Sequence, residues 1–393
     1  MRVIGLISGT SMDGIDAAVA DLELRDGDIE LHPLGSISVP YGKNLRDELG
    51  AALPPGTTTA EVVCRLDNEI GRAFANAAKQ ALTDLAAGAA DLVVSHGQTL
   101  YHDVEGNNVL GTLQIGQPAW IAEATGLPVV ADLRTRDIAA GGQGAPLASM
   151  FDVLLLAGSE RPTAALNIGG ISNLTVVSPG REPVGFDIGP GNALIDAAVS
   201  HVTGGVEGFD RNGLMAGRGQ VHPALLDHLH ADPYYRLSPP KTTGKELFHL
   251  PYLLSALEQI GEVSPEDLVA TVTALTARTI AETCRTYYIS KVIASGGGTS
   301  NPVLMGMLAA ELEGVAITSI DDLGIPSAAK EAYFFALIGF LTIHQLPGNV
   351  PSVTGAARPT ILGSVVPGRN GFPVVNPIEV PPTRLRILPS QST

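Results

Sequence analysis

The sequence predicts an α/β fold made of two similar halves. Three observations carry that prediction. A strand–turn–strand pattern opens the chain and returns near residue 164, the order of strands and helices after each opening is alike, and three turns rich in Gly, Ser, Thr and Asn each end an apolar strand. The length of 393 residues suits two domains, and a composition 45% hydrophobic and 16% charged supplies a core and argues against disorder.

The elements follow in chain order. RVIGLI (2–7), AAVADLEL (17–24) and IELHPLGSISVP (29–40) read as three strands, the first two joined by SGTSMDG (8–14). RLDNEIGRAFANAAKQALTDLA (65–86) places apolar residues at helical spacing. DLVVSHGQ (91–98) is a strand running into a loop, and GLPVVADLRTRD (126–137) is another strand. AAGGQGAPLAS (139–149) is a Gly-rich connection, followed by a short apolar helix or strand, MFDVLLLAG (150–158).

The second half begins with AALNIGGISNLTVVS (164–178), again strand, small-residue turn, strand. PVGFDIGPG (183–191) is a third strand ending in a loop, and LIDAAVSHVTG (194–204) starts a helix. Residues 264–288 carry a helical pattern, with Ser264 and Asp267 spaced as a capping pair and Pro265 in the first turn. KVIASGGGTSN (291–301) is strand into loop, VAITSI (315–320) a strand, and AAKEAYFFALIGFLTIH (328–344) a helix. Its apolar run is too short for a membrane span and reads as buried. The last fifty residues, rich in Pro and Gly, are expected to wrap the surface. The expected domains are residues 1–140 and 141–370, with a tail at 371–393. Two such α/β halves with a cleft between them describe the architecture shared by sugar kinases, actin and related ATPases.

Charge and cysteines narrow the function. A net charge of 24 − 40 = −16 argues against a nucleic-acid or anionic-membrane binder, since both need a basic face. Cys64 and Cys284 make neither a disulfide framework nor a zinc site, and read as reduced core thiols. VIGLI near the start is too short for a signal peptide. PPKTTGKE (239–246) lacks the first Gly of a Walker loop and ends in Glu, while GGGTSN (296–301) and GRGQVH (217–222) fail the dinucleotide pattern. Ser11 is not in a nucleophile elbow, no HExxH or paired CxxC occurs, and His96 and His102 make only a weak metal signal.

The residues left to do chemistry fall into two groups. Gly-rich turns let backbone N–H groups approach phosphate, which makes SGTSMDG, NIGGISN (167–173) and SGGGTSN (295–301) nucleotide candidates as well as plain turns. The acidic candidates are Asp13, Asp16, Asp132, Asp187 and Glu331. Asp187, between a strand and a rigid Gly-Pro-Gly turn, is either a helix cap or a general base on a stiff support. Asp13 caps a turn or holds Mg²⁺ through water. Arg134 and Arg136, beside Asp132 and Asp137, form a salt-bridge cluster or else orient a sugar and stabilise transferred charge. His96 and Gln98 offer neutral contacts for sugar hydroxyls, and Trp120 is core or a stacking platform.

The ordered set SGTSMDGID, SHGQT, LQIGQPAWIAEATGLPVVADLRTRDIAAGGQGAPL, LNIGGISNLT, GFDIGPGNALID, PPKTTGKELF, ASGGGTSN and PSVTGAARPTILG resembles the anhydro-N-acetylmuramic acid kinases, from about residue 3 to about residue 368. The resemblance implies a two-lobed actin/hexokinase-like fold of ribonuclease H-like lobes with ATP in the cleft. It implies a cytoplasmic, usually dimeric enzyme of cell-wall recycling that uses ATP and Mg²⁺ to open 1,6-anhydro-N-acetylmuramic acid with water while phosphorylating O6. On that reading Gly9, Thr10, Ser11, Met12, Asp13, Gly14, Ile15 and Asp16 form the ATP-phosphate loop and Asp187 is the catalytic base, with Arg134 as the second catalytic candidate. Gly169, Gly170, Gly296, Gly297, Gly298 and Asn301 add nucleotide contacts. His96, Gln98, Arg136, Asn192 and Glu331 are expected to meet the sugar, and the metal ligands stay unassigned. Two departures bear on substrate choice: Ile188 stands where the family usually has Thr, and ASMFD (148–152) where it usually has Pro-Ala-Phe-His. The alternatives are a kinase for another anhydrosugar such as levoglucosan, or a non-catalytic actin-like nucleotide binder.

Overall fold

Alternating apolar residues give the strands one face or two to bury. The computed structural model describes residues 1–9, 11–106, 108–244, 246–376, 378 and 380–389. Its strands are β1 (Arg2–Ser8), β2 (Gly14–Arg25), β3 (Asp28–Pro40), β4 (Leu92–Glu105), β5 (Asn108–Ile115), β6 (Val129–Ala131), β7 (Thr163–Ile168), β8 (Ile171–Val177), β9 (Val184–Pro190), β10 (Lys291–Ser295), β11 (Ala316–Ser319), β12 (Ser364–Val366) and β13 (Arg384–Ile387). One sheet has the order β12-β6-β4-β1-β2-β3-β13, with β5 pairing β4; the other has the order β11-β10-β7-β8-β9.

The two sheets share a plan. β1, β2 and β3 are antiparallel neighbours, as are β7, β8 and β9. β4 then joins β1 in parallel and β6 joins β4; β10 joins β7 in parallel and β11 joins β10. Leaving aside β5, each sheet therefore contains the order 3-2-1-4-5, counted within its own half, which is that of a ribonuclease H-like lobe. The expected α/β class and internal repetition are both met.

A parallel step needs a crossover, and a capped amphipathic helix supplies it in each half. Ala60–Asp84 starts where Thr59 Oγ1 accepts from Val62 N–H at 3.3 Å, and it buries Leu66, Ile70, Phe74 and Ala78. Pro265–Thr286 starts where Ser264 Oγ accepts from Asp267 N–H at 3.2 Å, as its spacing predicts.

The domain boundaries differ from those expected at residues 140 and 370. The chain divides into a first unit, Met1–Ala157 with Leu323–Thr393, and a second, Gly158–Asp322. The cause is the helix Lys330–Ile343, in which every residue but Glu331 is buried. It lies on the first sheet so closely that a Cβ on Gly5 would fall 2.0 Å from Ala332 O, and one on Gly339 2.0 Å from Val94 Cγ2. Each large side chain buried there contributes about 1.5–3 kcal/mol, which ties residues after 323 back to the first unit.

Several elements were not read from sequence. β4 runs well past the expected loop at residue 98 and turns back as β5. Residues 43–52 are helical, the ambiguous apolar run is the helix Ser149–Leu156, and the expected strand at 126–137 shortens to β6. The C-terminal region does more than wrap the surface, since β12 pairs with β6 and β13 with β3. Cys284 is buried as expected, but Cys64 is exposed.

Candidate active site

In the first unit the β1–β2 turn is held from below. Ser8 Oγ lies 2.6 Å from Gln98 Oε1 and 2.8 Å from Gly14 O, while Gln98 Nε2 donates to Gly9 O at 3.4 Å. Met12 N–H closes the turn on Gly9 O at 3.2 Å, with Met12 itself at φ 54°. Gln98 is 2% exposed. It braces the loop through Ser8 and Gly9. Ile15, 1% exposed, belongs to the core and leaves only its backbone for a nucleotide. Ser11 and Asp13 are exposed, Asp13 pairs with Arg46 at 2.5 Å, and Thr10 lies outside the described residues. Asp16 is half-buried, and burial raises its pKa against the lowering effect of Ser38.

Beside this turn stands a second group. Arg134 Nε donates to His96 Nε2 at 2.8 Å and its Nη1 to Gly144 O at 2.7 Å. The other ring nitrogen, His96 Nδ1, lies 2.9 Å from Gly97 O, so the imidazole is neutral with its proton on Nδ1. Burial and the neighbouring guanidinium push its pKa down to about 3. His96 is 4% exposed with both nitrogens engaged. It therefore serves as a strut for Arg134. Glu331 keeps solvent access, yet surrounding protein raises its pKa, with Arg134 and Lys330 pulling the other way. Arg136 is exposed on the short helix Thr135–Ala139.

Asp137, read from sequence only as part of a charge cluster, is fully buried. It accepts hydrogen bonds from Asn349 Nδ2 at 2.7 Å, Thr354 Oγ1 at 2.8 Å and Gly144 N–H at 2.8 Å. These fasten the loop whose Gly144 carbonyl holds Arg134. Asp152, in the departing ASMFD stretch, is buried 2.7 Å from Lys330 Nζ. Trp120 donates to Asn68 Oδ1 at 2.9 Å and packs on the first core, with Arg72 over its ring at 4.4 Å.

In the second unit β9 carries Asp187 and buries Phe186 and Ile188 in the core. Pleating puts neighbours on opposite faces, so a hydroxyl at position 188 would point into the core, away from the carboxylate. Asp187 Oδ2 accepts from Thr242 Oγ1 at 2.8 Å and from Thr243 N–H at 3.0 Å. Oδ1 has no hydrogen-bond partner among the described residues. Burial raises the Asp187 pKa, the two threonine contacts lower it, Glu246 raises it and Lys241 lowers it. The backbone is fixed as well: Asp187 N–H donates to Lys241 O at 3.2 Å, and Tyr234 O–H donates to Asp187 O at 2.8 Å. Asp187 is thus no helix cap but a carboxylate held on a stiff strand, with one oxygen free among the described residues.

The glycine turns of this unit interlock. Gly169 O accepts from Asn192 N–H at 2.8 Å, and Gly170 O accepts from Gly191 N–H at 2.9 Å and Ala193 N–H at 3.0 Å. A Cβ on Gly298 would sit 2.3 Å from Ile168 Cγ2, and one on Gly296 2.6 Å from Asn167 Oδ1, so these two glycines serve close packing. Gly297 faces open space, with Asn192 Nδ2 at 4.0 Å. Asn301 caps the helix Pro302–Glu311 by accepting from Val303 and Leu304 N–H, each at 3.1 Å, so its side chain is spent there.

No group of three or more His, Cys, Asp or Glu that could hold a metal exists among the described residues. Asp16 is a half-buried carboxylate at the start of β2 with no cation paired to it among the described residues. Residues sequence reasoning missed are Thr242 and Thr243 on Asp187, and Asp137 under Arg134; no recognised catalytic motif marks either contact.

Comparison with known proteins fits this array. Residues 1–368 match the family Anhydro-N-acetylmuramic acid kinase. A protein of that name from Streptomyces coelicolor is 57% identical over 388 residues, covering 99% of each chain. One from Rhodococcus erythropolis is 52% identical over 394 residues, covering 98% of this chain and 99% of the relative. One from Legionella pneumophila is 40% identical over 368 residues, covering 93% and 98%. The likeness runs through both units, and the chain belongs to the anhydro-N-acetylmuramic acid kinase family.

Proposed function

We propose that the enzyme transfers the γ-phosphoryl group of ATP to O6 of 1,6-anhydro-N-acetylmuramic acid while water opens the anhydro bridge. Water oxygen bonds to C1, the C1–O6 bond breaks, O6 bonds to phosphorus, and ADP leaves. The products are N-acetylmuramic acid 6-phosphate and ADP. The observation that carries this reading is Asp187: a half-buried carboxylate with raised pKa, one oxygen held and the other free to take a proton from water.

In this reading the turn from Gly9 to Gly14 and the glycines at 169–170 and 297 meet the nucleotide through backbone N–H groups. Arg134 stabilises charge on the transferred group, with Glu331, Arg136 and Asn192 toward the sugar. Mg²⁺ supplies charge neutralisation on the phosphates when bound. The enzyme is placed in the cytoplasm as a homodimer that recycles cell-wall sugar.

The test is direct. With ATP and Mg²⁺, kcat/KM is compared for 1,6-anhydro-N-acetylmuramic acid and levoglucosan, and the product is identified by NMR as the reducing 6-phosphate. Faster turnover of levoglucosan would overturn the substrate assignment.

A further inference from the structure

The stretch PPKTTGKE failed as a phosphate loop, and its place in the fold gives it another use. Its backbone runs alongside β9, taking the Asp187 N–H on Lys241 O at 3.2 Å. The next two residues supply both donors to Asp187 Oδ2, the Thr242 hydroxyl at 2.8 Å and the Thr243 N–H at 3.0 Å. The loop is itself anchored: Lys241 Nζ donates to Tyr234 O at 3.3 Å and lies 4.6 Å from the Tyr234 ring centre. Tyr234 in turn donates to the Asp187 carbonyl. Main chain and side chain of Asp187 are both gripped by residues 234–243.

We propose that Thr242 is a positioning residue that selects which oxygen of Asp187 acts as the base. A carboxylate on a free side chain rotates about its last bond and presents either oxygen to a nearby water. Two donors on Oδ2 stop that rotation and occupy that oxygen's lone pairs, leaving Oδ1 aimed and unshared. The Thr243 donor is main chain and survives any substitution there, whereas the Thr242 donor is a single hydroxyl that a point change removes. The hydroxyl also stabilises the charged form, and so offsets part of the effect of burial on Asp187.

This inference rests on Asp187 being the base, and the test separates the two. Thr242→Val keeps shape and removes the donor; Thr242→Ser keeps the donor. For each protein kcat, KM for ATP and kcat/KM for the anhydrosugar are measured across pH, with thermal unfolding as a check on folding. The expected result for Thr242→Val is a fall in kcat of about 10-fold to 100-fold with KM for ATP unchanged. Loss of a bond to the carboxylate raises the Asp187 pKa, so the acid limb of kcat/KM moves to higher pH. Thr242→Ser should return the parental limb and most of the rate. A Thr242→Val enzyme with parental rate and limb overturns the proposal, as does a Ser variant as impaired as the Val variant. Parental turnover in Asp187→Asn would instead remove the base assignment, whatever Thr242 does.

Discussion

In the first unit the exposed acids near the β1–β2 turn have cations beside them, Asp13 with Arg46 and Glu331 with Arg134 and Lys330. In the second unit Asp187 leans on a hydroxyl and an amide N–H, with Lys241 only a minor influence. The contrast is one of orientation. Burial raises the pKa of Glu331 and of Asp187 alike, mainly against nearby cations in the first case and against two hydrogen bonds in the second. Hydrogen bonds are directional where a nearby charge is not, so Asp187 combines a raised pKa with a fixed Oδ2. Strand order is common to both units, and function is set by what the loops bring to each strand end.

The sharpest way to break this comparison is Asp187→Asn. Turnover should fall by about 10³-fold or more, with ATP binding intact by calorimetry. Arg134→Ala should cost about 10²-fold in kcat, and Arg134→Lys should not restore it, because a single ammonium cannot hold both His96 Nε2 and Gly144 O. Asp137→Asn should reach the same site through stability. Replacing a buried carboxylate that accepts three hydrogen bonds costs about 3 kcal/mol, read from denaturant midpoints, with activity lost in proportion to the looseness of Arg134.

The smallest effect concerns His96. Its folded pKa of about 3 lies below the 6.5 of an ordinary imidazole, so the unfolded chain takes up the proton first as pH falls. The stability it contributes is whole above pH 6.5 and is lost progressively below it. His96→Gln should therefore show a shallower fall in unfolding midpoint between pH 6.5 and 4 than the parent, and no activity limb should track this imidazole.

How much of this was legible can be argued from particular residues. The strand–turn–strand openings, the Ser264 cap and the buried helix after residue 328 were readable because each is a local pattern of apolar spacing and turn residues. What failed was long-range pairing. His96 was expected to meet the sugar and Arg134 to act in catalysis, and nothing local says that one is the strut of the other. The bracing role of Gln98 was hidden for the same reason, because its partners Ser8 and Gly9 sit at the end of a neighbouring strand. The threonines on Asp187 lie in a segment read only as a failed phosphate loop and as one of the family's ordered motifs, and neither reading says what they touch. β13 and the domain assignment of Lys330–Ile343 depend on which sheet offers a matching groove, and the small residues Gly5 and Gly339 mark that groove only once the two surfaces are seen together.

The interrupted first unit has a consequence for how the molecule is made. Synthesis runs from the amino end, so β1 and β4 leave the ribosome long before Lys330–Ile343 exists to cover them. The second unit, contiguous from Gly158 to Asp322, has all its strands and its own core in hand first. During that interval the bare face around Gly5 and Val94 waits for a lid that arrives last, the window in which a nascent chain is most exposed to wrong partners. A fragment ending near residue 157 would be held in that state for good.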